Sequence, residues 1–316
     1  MIRKVSWLSS SKSSWTKKKD FPKCALFHGD SKDLLLNIGK KPLFNLIITS
    51  PPYNIGKEYE TRRPFSEYLD SQELIISLLV NSLVDGGSIC WQVGNFVENN
   101  QIYPLDIYFD PIFRRHNLQL RNRIIWHYGH GLHCTSRFSG RYETILWYTK
   151  CSKQHSSYAF NLDAVRKPSK YPAKKRYKGS RIGHFSSNPN GKNPEDVWSG
   201  SDFWDNIPNV KGNHIEKTSH PCQFPVGLVE RLVLALSDTG DLVFDPFCGS
   251  GSTGVASLIH KRLFWGCDTK LGYLNMAKKR LLDTRNNEIK YRPHLQPIYD
   301  HTKSNLSIHP FQNGDK

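Results

Sequence analysis

The feature that most restricts how this chain can fold lies towards its end. There the apolar run Leu242-Val243-Phe244-Asp245 breaks at Pro246-Phe247-Cys248-Gly249-Ser250-Gly251-Ser252-Thr253-Gly254, and a helical stretch follows to His260. A buried strand that turns through glycines directly into a helix brings its backbone close to a ligand and points the free N–H groups of the helix start at it. The next apolar run, Phe264-Trp265-Gly266-Cys267-Asp268, ends in an acid. At the end of a strand such a carboxylate can accept hydrogen bonds from two ribose hydroxyls, as a bound adenosine requires. Gly249 to Gly254 also satisfies the three-glycine spacing of dinucleotide enzymes, so the loop alone leaves a pyrophosphate ligand open. Asp245-Pro246-Phe247 is expected to set a carboxylate and a ring at the loop mouth, which favours a nucleoside carrying a cationic amino acid.

The rest of the chain supplies partners for this strand. Ala25 begins a short apolar run closed by His28-Gly29-Asp30, an amphipathic stretch covers Lys32 to Ile38, and Leu43 to Ile48 is a buried strand. Leu and Ile recur at helical spacing from Ser71 to Leu83, Asp85-Gly86-Gly87 stops them, and Ser88 to Val93 is a further strand. Tyr108 to His116 is helical, Arg123 to Trp126 extended, and Tyr142 to Tyr148 extended again. Val226 to Leu236 and Leu271 to Leu282 are helices. Helix and strand alternate, which is the pattern of an α/β sheet.

A second motif ends the strand at Ile48: Thr49-Ser50-Pro51-Pro52-Tyr53. An exocyclic amino nitrogen is a poor nucleophile because its lone pair is delocalised into the ring. Ser50 and the carbonyl of Pro51 can accept its two hydrogens and turn it tetrahedral, a matter of orientation and electrostatics. The two prolines stiffen the turn and remove backbone donors. Tyr53 offers a face to a base taken out of the duplex stack. By itself Pro-Pro-Tyr is an ordinary turn; beside the glycine loop it becomes a candidate site.

Charge points to a polyanion. Forty-four Lys and Arg against twenty-eight Asp and Glu give +16. Residues 1–23 begin with a serine-rich basic run and are expected to form a flexible arm. Residues 151–217 carry few aliphatic runs and are expected to form an irregular insert. Within it, Arg166 to Arg181 holds eight basic residues and no acid, with Tyr171 and Tyr177 between them. Arg166, Lys170, Lys174, Lys175, Arg176, Lys178 and Arg181 are the expected contacts to that polyanion, although a solvated basic loop has the same composition. Residues 24–150 and 218–285 form the expected catalytic domain and 286–316 a polar tail. No apolar run is long enough to span a bilayer and no secretory signal is present, so a cytoplasmic or nucleoid-associated place in a prokaryotic cell is expected. The seven cysteines show no framework spacing. His127, His130, His133 and Cys134 match no common zinc site, and no metal is expected. Trp91, Trp126 and Trp147 are read as core.

Taken together, these motifs resemble the amino-group DNA methyltransferases of restriction–modification systems, in the permuted beta-class order: Pro-Pro-Tyr first, recognition region next, glycine loop last. The resemblance covers residues 25 to 285. It implies S-adenosylmethionine as cofactor and a Rossmann-like methyltransferase fold. That fold has a seven-stranded, mostly parallel sheet with one antiparallel strand and helices on both faces. It also implies that Ser50, Pro51, Pro52 and Tyr53 are catalytic, and that Asp245, Phe247, Gly249, Gly251, Thr253, Asp268 and, secondarily, Asp30 serve the cofactor. His220-Pro221-Cys222-Gln223-Phe224-Pro225 resembles a segment beside the cofactor's methionine part, with Cys222 and Phe224 departing from the family pattern. The insert becomes a target-recognition region for double-stranded DNA, and a restriction endonuclease for the same site becomes an expected partner.

Within this family, Ser before Pro-Pro-Tyr goes more often with N4 of cytosine. Asn54-Ile55-Gly56-Lys57 also resembles members acting on N6 of adenine, which stays as the alternative. A catalytically silent DNA-binding regulator is a more remote one. Recognition sequence, oligomeric state and whether a restriction endonuclease accompanies the chain are not legible.

Overall fold

The computed structural model describes residues 6–8, 22–129, 131, 133–151, 157–169, 171–198 and 206–297. In chain order the elements are β1 (Ser6–Leu8), β2 (Cys24–His28), α1 (Ser31–Ile38), β3 (Phe44–Thr49), α2 (Phe65–Ser82), β4 (Leu83–Val93), β5 (Asn95–Glu98) and β6 (Gln101–Pro104). There follow α3 (Leu105–Arg115), β7 (Gln119–His127), β8 (Tyr142–Thr149), β9 (Val197–Trp198), α4 (Val226–Leu236), β10 (Leu242–Asp245), α5 (Ser252–Ile259), β11 (Leu263–Asp268) and α6 (Leu271–Arg285).

Nine strands make one sheet in the order β1-β2-β11-β10-β3-β4-β8-β7-β9, with β5 and β6 forming a separate hairpin. Neighbours run parallel except at β8, which is antiparallel to both β4 and β7. Among the described residues the sheet therefore has nine strands where seven were expected; the two additions are the short edges β1 and β9. Within residues 1–23, expected as a flexible arm, Ser6–Leu8 pairs with Ala25–Phe27.

Alternating side chains divide the core into two layers. Leu26, Leu46, Ile48, Val243 and Phe264 pack on one side with residues of α4, α5 and α6, while Phe27, Ile47, Phe244 and Trp265 pack on the other with α1, α2 and α3. Strands buried on both faces explain the near-continuous apolar runs of the sequence. The three tryptophans read as core are buried: Trp91, Trp126 and Trp147. The tail is not featureless where it is described. The Arg292 and His294 N–H groups donate to Glu216 (3.0 Å) and Glu230 (2.8 Å), and the Arg292 carbonyl lies so close to Gly227 that a Cβ there would stand 2.7 Å from it.

The consequence for function is positional. Parallel strands put the carboxyl ends of β2, β3, β4, β10 and β11 on one edge, where ligands of open α/β sheets bind. Because β8 runs the other way, it is its first residues that reach this edge.

Candidate active site

The turn after β3 is held from below and behind. Thr49 is buried and its hydroxyl donates to Asp245 Oδ1 (2.7 Å), while the Tyr68 hydroxyl of α2 donates to the Pro52 carbonyl (2.8 Å). Ser50 Oγ and the Tyr53 hydroxyl share a hydrogen bond of 2.9 Å. The Tyr53 ring passes Gly94 so closely that a Cβ at Gly94 would lie 3.2 Å from it. The turn is thus a rigid shelf with a hydroxyl pair along it.

The glycine turn after β10 needs its glycines for two separate reasons. Gly249 (φ 45°) and Gly251 (φ 77°) take left-handed backbone, and a Cβ at Gly249 would sit 2.7 Å from His220 Nε2 and at Gly251 2.8 Å from Ala277 Cβ. Asp268 accepts from the N–H groups of Gly249 (2.9 Å) and Lys270 (2.8 Å), and burial raises its carboxyl above the ordinary range. A carboxylate has about four lone-pair sites, so two ribose hydroxyls can still be accepted. Asp30 caps α1 through Lys32 N–H (2.8 Å), and Gly29 N–H donates to the Asp268 carbonyl (3.0 Å), which brings both acids to one rim. His220 packs edge-on against Tyr273 at 4.3 Å, and burial lowers its pKa to about 4, so it is neutral at physiological pH.

Both motifs open into one cleft of about 1000 Å³, lined among others by Asp30, Ser50, Pro51, Pro52, Tyr53, Phe247, Gly249 and Asp268. A volume at the upper end of ligand pockets suits a nucleoside cofactor and an extruded base together. Phe247 meets Trp91 edge-on at 6.4 Å, and Trp91 lies in the same core layer as Tyr53.

Asp245 does not stand at the loop mouth. It is fully buried and accepts from Thr49, from Thr253 Oγ1 (2.6 Å) and from Phe247 N–H (3.1 Å). Its carboxylate is the knot that ties the two motifs, with Thr253 as a partner in that knot. Gly251 likewise shapes the helix start behind the cleft.

The basic cluster divides in two. Arg166 is turned inward, donating to Asp163 (2.5 Å) and the Gly191 carbonyl (3.1 Å). Lys170 lies outside the described residues, as does His130. Lys174, Lys175, Arg176, Lys178 and Arg181 are exposed. They ride on a short antiparallel ribbon, in which Arg176 and His184, Gly183 and Arg176, and Ser186 and Lys174 are joined by backbone hydrogen bonds of 2.9, 3.0 and 2.8 Å. A two-stranded ribbon is one of the shapes the major groove admits.

Sequence reasoning missed Glu143 and Gln92. Both line the cleft; Gln92 Nε2 donates to Glu143 Oε2 (2.6 Å), and the Tyr53 hydroxyl donates to the same oxygen (3.2 Å). The available signal was an acid at the start of the otherwise apolar Tyr142–Thr149 run. No helix among the described residues is long and apolar enough to cross a membrane.

A mixed, mostly parallel sheet whose carboxyl edge joins a Pro-Pro-Tyr turn to a glycine turn defines the α/β methyltransferase fold. The family model described as DNA methylase, of the N6/N4 kind, matches residues 44–279, and the chain belongs to this family of S-adenosylmethionine-dependent, amino-group DNA methyltransferases. Among its relatives, the type II methyltransferase M.BglII from Bacillus subtilis is 41% identical over 296 residues, covering 92% of this chain and 79% of that protein. The Thermus thermophilus protein TTHA0409, solved in complex with S-adenosyl-L-methionine, superposes with a TM-score of 0.56 at 24% identity over 82% of this chain and 95% of that one. The cytosine-N4-specific PvuII DNA methyltransferase does so with a TM-score of 0.58 at 18% identity, over 85% and 93%.

Proposed function

We propose that this enzyme methylates N4 of cytosine at a specific short sequence of duplex DNA, using a circularly permuted domain in which residues 151–217 read the target. The observation that carries this reading is the shared cleft, which Ser50 to Tyr53 line together with Phe247, Gly249 and Asp268. Asp268 and Asp30 hold the adenosine part of the cofactor, and the glycine turn and Phe247 hold it against the sheet edge. The cofactor, when bound, supplies a methyl group made electrophilic by a sulfonium. Everything else is positioning: Tyr53 stacks on a base turned out of the helix, and Ser50 Oγ with the Pro51 carbonyl accepts its amino hydrogens. Ser50 in place of an aspartate supports cytosine as the base. A restriction endonuclease with the same target is the expected partner, and the bacterial cytoplasm the expected place.

Digesting DNA methylated by the purified enzyme and weighing the modified nucleoside tests the base. N4-methylcytosine is expected; N6-methyladenine would overturn the assignment of the base while leaving the chemistry.

The ribbon reading carries its own expectation. Replacing Lys174, Lys175, Arg176 and Lys178 with alanine should flatten the dependence of log binding constant on log salt by about 0.9 for each phosphate contact removed. Cofactor affinity should stay the same. An unchanged slope would put the DNA on another surface.

A further inference from the structure

Methyl transfer to an exocyclic amine leaves the nitrogen with one proton too many, and a neutral product requires that proton to leave. Neither proline carries an acid–base group, and hydroxyls such as those of Ser50 and Tyr53 relay protons without keeping them near neutral pH. The carboxylate that the Tyr53 hydroxyl reaches is Glu143.

Three groups form a line. Ser50 Oγ lies 2.9 Å from the Tyr53 hydroxyl, which lies 3.2 Å from Glu143 Oε2. Gln92 fixes that oxygen from the neighbouring strand at 2.6 Å. Gly94, next to Gln92 and Val93, leaves the space in which the pair meets: a Cβ there would stand 3.2 Å from the Tyr53 ring and 3.5 Å from Glu143 Cγ. Antiparallel β8 brings a carboxylate to the carboxyl edge of the parallel strands, since Thr144 pairs with Val93 and Glu143 with Trp126.

We propose that Glu143 is the proton acceptor of the methyl transfer, receiving the amino proton through the hydroxyls of Ser50 and Tyr53. This rests on the reading that those two residues hold the amino group. The nitrogen lone pair forms the new N–CH₃ bond as the S–CH₃ bond breaks with its electron pair left on sulfur. One N–H bond then breaks with its pair returning to nitrogen. Its proton passes to Ser50 Oγ, the Ser50 proton to the Tyr53 oxygen, and the Tyr53 proton to Glu143 Oε2. Both hydroxyls end neutral, and Glu143, which lines the cleft, returns the proton to water.

The surroundings suit a base. Burial raises the Glu143 carboxyl above the ordinary range, with the hydrogen bonds from Gln92 and Tyr53 and the charge of Lys211 pulling it back down. Tyr128, after β7, has its phenol pushed up to about 12 by burial and by Glu143, against the pull of Arg141, and keeps its proton. The phenol of Tyr53 is raised by burial and by Glu143, which keeps it a relay that holds its proton at rest.

The test is single-turnover methylation of a target duplex as a function of pH, with the product nucleoside identified by mass. Wild type should lose rate as acid protonates Glu143. The isosteric Glu143→Gln should transfer about 10²-fold more slowly at neutral pH, with that acid limb gone and with cofactor and DNA affinities within twofold. Tyr53→Phe should show the same loss of the limb, and the double variant should be no slower than the slower single one. Should Glu143→Gln not fold, Tyr53→Phe carries the test alone. A Glu143→Gln rate within threefold of wild type, an acid limb surviving in either variant, or losses that multiply would overturn the proposal. Failure of the underlying reading looks different: wild type itself would leave no methylated base amine.

Discussion

Tyr53→Ala should lower the single-turnover rate of methylation by about 10²–10³-fold while cofactor binding stays within a few-fold of wild type. In the proposed function the ring is the surface on which an extruded base rests, and stacking of this kind contributes about 1–3 kcal/mol per base. Its hydroxyl orients Ser50 Oγ across 2.9 Å, so alanine removes the stacking and the aim together. The hydrogen bonds of the Tyr53 hydroxyl go to Ser50 and Glu143 and not to Asp268 or the glycine turn, so the cofactor should still bind. A rate within fivefold of wild type would show that the base rests elsewhere.

The second large effect is on stability. Asp245→Ala strands two hydroxyls, Thr49 and Thr253, and the Phe247 N–H in a buried knot, and should cost about 3 kcal/mol of folding free energy along with cofactor binding. Asp245→Asn keeps an acceptor for two of these donors and should fold. Burial raises the Asp245 carboxyl to about 6 in the folded chain, above its unfolded value. The folded state therefore holds that proton more tightly. The resulting stabilisation is fully present below about pH 4 and is lost as pH rises through about 6. The melting temperature of Asp245→Asn minus that of wild type should accordingly climb from pH 4 to pH 6 and then level off. A difference that is flat across that window would mean the buried carboxyl is not perturbed.

Much of the architecture was legible because periodicity and punctuation agree. Val226–Leu236 and Leu242–Asp245 fall where the apolar pattern places them, since both are bounded by Pro225, Ser237, Gly240 and Pro246. Helix α2 begins at Phe65, six residues earlier than its Leu and Ile repeat suggests, because Pro64 opens it and its first turns pack aromatic rings instead of aliphatic ones. The β5–β6 hairpin was missed although it has a signal: Asn99 and Asn100 both take positive φ (48° and 63°), as a two-residue turn between twisted strands requires.

The site was legible in its parts and not in their relations. Ser50, Tyr53, Phe247 and Asp268 share a cleft, as motif chemistry led one to expect. Asp245 was expected at the ligand, yet its partner Thr49 lies on another strand 196 positions away, a contact no local pattern contains. Glu143 escaped notice for a related reason: its meaning comes from the reversed direction of β8, which places the first residue of that strand's buried run beside the last of β4. Composition drew attention to all of Arg166 to Arg181 alike, whereas the fold turns Arg166 inward and the ribbon outward.

A structure of the enzyme with a non-reactive cofactor analogue and a duplex carrying the target would examine the central claim most directly. The account predicts a base turned out of the helix onto Tyr53, its amino nitrogen on Ser50 Oγ and about 3–3.5 Å from the position of the transferable methyl group. A base left in the duplex, or bound away from the cleft between Tyr53 and Phe247, would contradict it.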